Sequence, residues 1–129
     1  MSSPSFRVHG LDHVQLAMPR GGEVVARSFY SAVLGLIEVE KPAPLRQRGG
    51  VWFKAGHLQV HLGIEEPFRP ARKAHPAFLV DGLPRAIVAC ENAGLPVVVD
   101  APFEVCQRVY VADPFGNRIE LIERRQQSA

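Results

Sequence analysis

Cysteine is scarce in this chain: Cys90 and Cys106 are the only two among 129 residues. A pair so isolated excludes a disulfide framework and a thiolate zinc cluster. Cys90 falls on a helical pattern and reads as a small buried hydrophobe. Cys106 has no neighbouring base to make it a nucleophile. No apolar run approaches the ~18 residues needed to span a bilayer. The opening Met-Ser-Ser-Pro-Ser-Phe-Arg lacks the apolar core of a signal peptide, so a cytoplasmic location is the default expectation. A basic block is missing too. Three lysines and twelve arginines are scattered among thirteen acids, without interleaved aromatics, for a net charge of +2. That pattern speaks against nucleic acid as a partner. Hydrophobic residues make up 47% and charged residues 22%, which is the balance of one ordinary globular domain with a real core.

What the chain does have is an internal repeat, the first thing to seek because missing it misassigns a fold. His13 lies in Asp-His-Val-Gln-Leu-Ala-Met and His75, 62 positions later, in Ala-His-Pro-Ala-Phe-Leu-Val. Each is followed by a helix-like stretch ending in Gly-Leu, at Gly35-Leu36 and at Gly94-Leu95. From Gly35 to His61 is 26 positions, and from Gly94 to Glu120 is again 26. Matching places therefore hold three imidazoles and a carboxylate, which are metal-ligand types.

Each half reads as β-α-β-β-β. In the first module, residues 9–64, strands are expected near 11–18, 37–40, 51–54 and 58–64. A helix over 22–34 would place Val25, Phe29 and Val33 on one face, with Gly35 as its left-handed stop. Residues 65–74, with Pro67 and Pro70, form a linker. The second module, residues 75–124, repeats the order: a strand over 75–80, then a helix from Leu83 with Pro84 in its first turn. Leu83, Ile87 and Cys90 are its core stripe and Gly94 its end. Strands over 96–99, 107–112 and 118–123 follow. Asp113-Pro114-Phe115-Gly116 joins the last two as a type I turn. Segments 1–8 and 125–129 are expected to be flexible termini.

Strand alternation decides where the candidates point. Val14, Leu16 and Met18 oppose His13, Gln15 and Ala17. Val60 and Leu62 oppose His61, and Ile119 and Leu121 oppose Glu120. Helices must cover the apolar faces, so all four candidates are expected in one concavity. A buried Glu120 without a cation would be costly. His9 and His57 have no repeat-related partner and are set aside. Tyr110 and Arg108 share the face of Glu120 and are candidates for orienting substrate, Tyr110 also for a catalytic part, as are Gln15 and Trp52 for binding, the last an aromatic wall or a core residue. Arg69, Arg72 and Lys73 could attract a carboxylate or phosphate as it enters, against the plainer reading of a solvated loop, which is preferred. Arg118 has the same two readings, the plainer being a pair with a nearby acid such as Glu123. Three imidazoles and a carboxylate suit Zn, Ni, Co, Mn or Fe. Such an ion could bind adjacent oxygens of a substrate as a Lewis acid, with Glu120 as the candidate base.

Leu-Asp-His-Val-Gln-Leu-Ala-Met (11–18), Phe-Tyr-Ser-Ala-Val-Leu-Gly-Leu (29–36), Val-His-Leu (60–62), His75 and Tyr-Val-Ala-Asp-Pro-Phe-Gly-Asn-Arg-Ile-Glu-Leu-Ile-Glu (110–123) together resemble the vicinal oxygen chelate superfamily. Glyoxalase I, fosfomycin-resistance proteins, extradiol dioxygenases and bleomycin-binding proteins are its members. The resemblance implies an α+β fold of two tandem βαβββ modules forming a U-shaped mixed sheet around a central cleft, with modules often paired across a homodimer. It puts the metal positions on His13, His61, His75 and Glu120. Glyoxalase I usually has a carboxylate at the place of His61, and fosfomycin-resistance proteins use the set matching His13, His75 and Glu120. Residues 102–107, Pro-Phe-Glu-Val-Cys-Gln, lack the serine- and lysine-rich character of the phosphonate loop in the latter. The expected function is a metal-dependent lyase, isomerase or dioxygenase acting on a small oxygen-rich substrate. The alternative is a metal-free sequestering module of the bleomycin-resistance kind.

Overall fold

The structure is a computed structural model describing residues 5–101 and 106–124. The first module contains β1 (Val14–Met18), α1 (Glu23–Tyr30), β2 (Ile37–Val39), α2 (Ala43–Arg46), β3 (Val51–Ala55) and β4 (Leu58–Ile64). The second contains β5 (Ala77–Leu79), α3 (Leu83–Asn92), β6 (Val97–Val99), β7 (Cys106–Ala112) and β8 (Arg118–Arg124). Each module closes its own four-stranded mixed sheet, ordered β1-β4-β3-β2 and β5-β8-β7-β6. In both, the first and fourth strands run parallel and the other pairs antiparallel. The architecture is the expected pair of βαβββ modules. The ladders nevertheless form two separate sheets.

Helices form where the apolar spacing lets them cover a sheet. In α1 the buried residues are Ala26, Phe29 and Tyr30, spaced three and four apart on one face. Burying Phe29 alone contributes on the order of 2–3 kcal/mol. Val25, expected on this face, is instead 44% exposed. Its spacing of four from Phe29 fits, but the stripe turns through Ala26 and Tyr30. The helix is also shorter than the expected 22–34. In α3, Leu83 and Cys90 are buried and Ile87 packs against the core from the side. Gly94, at φ 78°, ends this helix. Its N–H donates to Glu91 O at 3.0 Å, and that of Leu95 to Cys90 O at 3.0 Å, the bonding of a Schellman stop. The Pro42-led turn α2 was not foreseen, being too short to show a period.

The apolar alternation holds. Leu16 and Met18 of β1, Val51 and Phe53 of β3, Val60 and Leu62 of β4, and Val109, Val111, Ile119 and Leu121 of β7 and β8 belong to one core. Their neighbours in sequence therefore face the opposite way. β1 and β5 begin later than expected, so His13 and His75 sit just ahead of their strands. The linker is not free. Ala71 N–H donates to Asn117 Oδ1 at 2.9 Å, and its carbonyl accepts from Arg118 N–H at 2.8 Å. Segments 1–4 and 125–129, expected to be flexible, lie outside the described residues, as does 102–105 in the loop set apart from the phosphonate-binding kind. Among the described residues no helix is long and apolar enough to cross a membrane.

Candidate functional site

The first sheet carries a stack of three rings. The ladders set His61 beside Gln15 on one flank and Trp52 on the other. The His61 ring lies 3.8 Å from Trp52, 2° from parallel, and 4.1 Å from His13, 16° from parallel. Trp52 is half-buried, stacks on His61 and lies outside the packed core. Burial, and secondarily the neighbouring His13, lowers the His61 pKa below the ordinary 6.5. Gln59 Oε1 lies 3.0 Å from His61 Nε2 and, as an acceptor, places the ring proton there. Asp12 Oδ1 likewise takes the Nδ1 proton of His13 at 2.8 Å. His13 Nε2 is thereby left with a lone pair, in the carboxylate–imidazole arrangement that supports metal ligands. Imidazole lone pairs lie in the ring plane. Two rings stacked this closely cannot both direct them at one ion without one rotating away. Gln15 lies across Gly63, where any Cβ would collide with it.

The second sheet carries an ionic group. Glu120 on β8 pairs with Tyr110 on β7 and with Ala77 on β5, and is 6% exposed. Its Oε1 lies 3.0 Å from His75 Nε2 and 3.7 Å from Arg108 Nη1. Arg108 also donates to Tyr110 Oη at 2.9 Å and pairs with Asp100 at 3.1 Å. The His75 ring meets Tyr110 edge-on, with centroids 5.2 Å apart. Arg108, Tyr110 and Glu120 thus gather as their alternation requires.

His75 Nδ1 is 2.7 Å from the carbonyl of Lys73. A carbonyl only accepts, so Nδ1 holds the proton, and in the neutral ring Nε2 presents a lone pair to a carboxylate oxygen. Two acceptors at 3.0 Å repel unless a proton or a cation lies between them. The spacing is that of an ordinary charged N–H···O pair, and the two groups are also of the types that would hold one cation.

The four candidates therefore assemble as two pairs, one per sheet. Among the described residues no group of three or more His, Cys, Asp or Glu side chains is close enough to hold a metal. A single chain does not bring all four into one concavity. Each face has its own cavity. One of about 200 Å³ is lined by Gln15, Trp52, Gly63, Lys41 and Arg48, and one of about 400 Å³ by Tyr110, Arg118, Arg72, Val98, Pro96 and Ala112.

Several roles had no signal in the sequence. Glu123 does not pair with Arg118. It accepts the amides of Gly82 and Leu83 at 2.8 and 2.9 Å, ahead of α3, and these bonds hold its pKa below the ordinary 4.5. Arg118 instead lies over the Tyr110 ring, 4.9 Å from its centroid. Asn117, fully buried, ties the β7–β8 turn to Ala17 O at 2.8 Å.

A glyoxalase family protein from Bacillus anthracis is 43% identical and superposes with a TM-score of 0.89, over 95% of this chain and 100% of that one. A glyoxalase/dioxygenase from Nostoc punctiforme is 22% identical with a TM-score of 0.76, over 97% of this chain and 100% of that one. A fosfomycin resistance protein from Listeria monocytogenes shares the fold at 13% identity and a TM-score of 0.69, over 95% of this chain and 97% of that one. No protein of curated function matches. The model of the Glyoxalase/Bleomycin resistance protein/Dioxygenase superfamily matches residues 10–121. The chain belongs to that superfamily.

Proposed function

We propose that the protein is a metal-dependent enzyme that chelates a small oxygen-rich substrate, of the lyase, isomerase or dioxygenase kind. The observation that carries this reading is the His75 lone pair facing the buried Glu120 carboxylate. Its ring proton is already committed to Lys73 O, and a divalent cation between the two groups would resolve the conflict, as would a second ring proton.

His75 Nε2, Glu120 and the Nε2 of His13 are the ligands this geometry favours. His61 joins them only by leaving Trp52. Zn, Ni, Co, Mn or Fe suits such a set. Bound there, the ion supplies Lewis acidity to adjacent substrate oxygens. Because the pairs lie on different sheets, a homodimer supplies the complete set, with the first module of one copy facing the second module of the other. The chain's own groups do the rest. Glu120 is the carboxylate within reach of a substrate proton. Arg108 holds Tyr110 Oη and Glu120 in register. Gln15 and Trp52 wall the opposite face.

A metal-free sequestering module of the bleomycin-resistance kind is the second reading. The Trp52–His61–His13 stack favours it, as a ready aromatic shelf. Metal analysis of protein purified without chelators separates the two. Stoichiometric divalent metal, lost in His75→Ala and Glu120→Gln, supports the enzyme. Trace metal that cannot be reloaded supports the sequestering module.

A further inference from the structure

We propose that the cavity over β7 binds the oxyanion of the substrate, so that the substrate is a small carboxylate or phosphate-type anion with an apolar body. This rests on the reading of the Glu120 face as the substrate site, and concerns groups that reading leaves unused.

Two guanidinium groups line this cavity, those of Arg118 and Arg72. The guanidinium carbon of Arg118 lies over Tyr110, 4.9 Å from the ring centroid. A guanidinium drawn to an aromatic ring stays charged and still carries N–H donors for a planar or tetrahedral oxyanion. The nearby acids are already engaged. Asp100 pairs with Arg108 at 3.1 Å, Glu120 lies against His75 at 3.0 Å, and Glu123 accepts the amides ahead of α3. Among the described residues neither Arg118 nor Arg72 has a carboxylate within ion-pair distance.

Arg72 reaches the cavity because the linker is fastened. Ala71 bonds Asn117 Oδ1 at 2.9 Å and Arg118 N–H at 2.8 Å. Pro70 packs so close to Gly116 that a Cβ there would sit 3.3 Å from its ring. Two cations that line one cavity without a paired carboxylate repel each other, and an oxyanion between them relieves this. The remaining wall is apolar: Pro96, Val98 and Ala112. A volume of about 400 Å³ suits a body the size of a phenyl or short branched alkyl group.

Calorimetric titration with phenylacetate, phenyl phosphate and the neutral phenylacetamide tests the proposal, on chelator-stripped and on metal-loaded protein. Both anions should bind the stripped protein at least about tenfold more tightly than the amide, and less tightly as salt is raised. The tighter anion identifies the headgroup. Arg118→Met, and independently the exposed-rim Arg72→Met, should each remove most of that preference and leave the amide unchanged. Glu120→Gln should keep or strengthen anion binding even where it abolishes metal binding, so loss of the metal reading leaves this result intact. Equal affinity for acid and amide, or undiminished anion binding in a folded Arg72→Met and Arg118→Met double variant, overturns it.

Discussion

Tyr30 Oη donates to Asp113 Oδ2 at 2.6 Å, a buried hydrogen bond between residues 83 positions apart. It fastens α1 of the first module to the β7–β8 turn of the second. The other Asp113 oxygen takes the amides of Phe115 and Asn117 at 2.9 and 2.8 Å. A buried charge-assisted bond of this kind is worth about 1.5–3 kcal/mol. Tyr30→Phe should therefore lower unfolding stability by roughly that amount in urea denaturation, with metal content unchanged. Burial, reinforced by Asp113, raises the Tyr30 pKa well above the ordinary 10.0. The native phenol stays protonated while the unfolded one ionises, so stability is intact below that value and falls as pH rises above it. Tyr30→Phe should flatten this alkaline limb.

Glu123 governs the acid side. Its pKa is depressed because the amides of Gly82 and Leu83 bond its charged form. Its contribution is complete above the ordinary value of 4.5 and is lost as pH falls through the depressed one. Thermal melts taken across that range should show a shallower acid decline for Glu123→Gln than for the wild type. Identical slopes would remove Glu123 from the account.

His61 and His13 should part company. The stacked rings cannot both serve one ion, and only His13 has its Nδ1 proton held by a carboxylate, leaving Nε2 to coordinate. His13→Ala should lose most bound metal, whereas His61→Ala should keep it and weaken instead the binding of aromatic ligands on the Trp52 shelf. Equal metal loss in both, by elemental analysis after gel filtration, would mean that the stack opens when the ion binds.

Much of this was legible in the sequence, and the reason is local. Gly94 marks the end of α3 because its φ above zero permits the stop, whereas α1 ends earlier, at Tyr30, and Gly35 with its φ of 75° closes the turn that follows. The period of two sorts Leu16 and Met18 from Gln15, and Ile119 and Leu121 from Glu120. The repeat named His13, His61, His75 and Glu120 as matched pairs. What pattern did not carry were roles set by distant neighbours. Asn117 gains its meaning from Ala17 and Ala71, Glu123 from Gly82, and Arg118 from Tyr110 across the strand. Val25 was misplaced because two stripes of helical spacing overlap in α1 and only the packed sheet chooses between them. That the four candidates fall into two pairs on separate sheets was likewise beyond reach, since periodicity assigns faces but not how two sheets meet.

The most direct test of a metal site completed across two copies is complementation between His13→Ala and Glu120→Ala proteins. Each alone should bind almost no divalent metal. If one copy's first module faces the other's second, mixing them after mild unfolding and refolding creates heterodimers with one intact site. Metal should then return to about a quarter of the wild-type amount, from random pairing of the two chains. No recovery in refolded, dimeric mixtures would contradict the account.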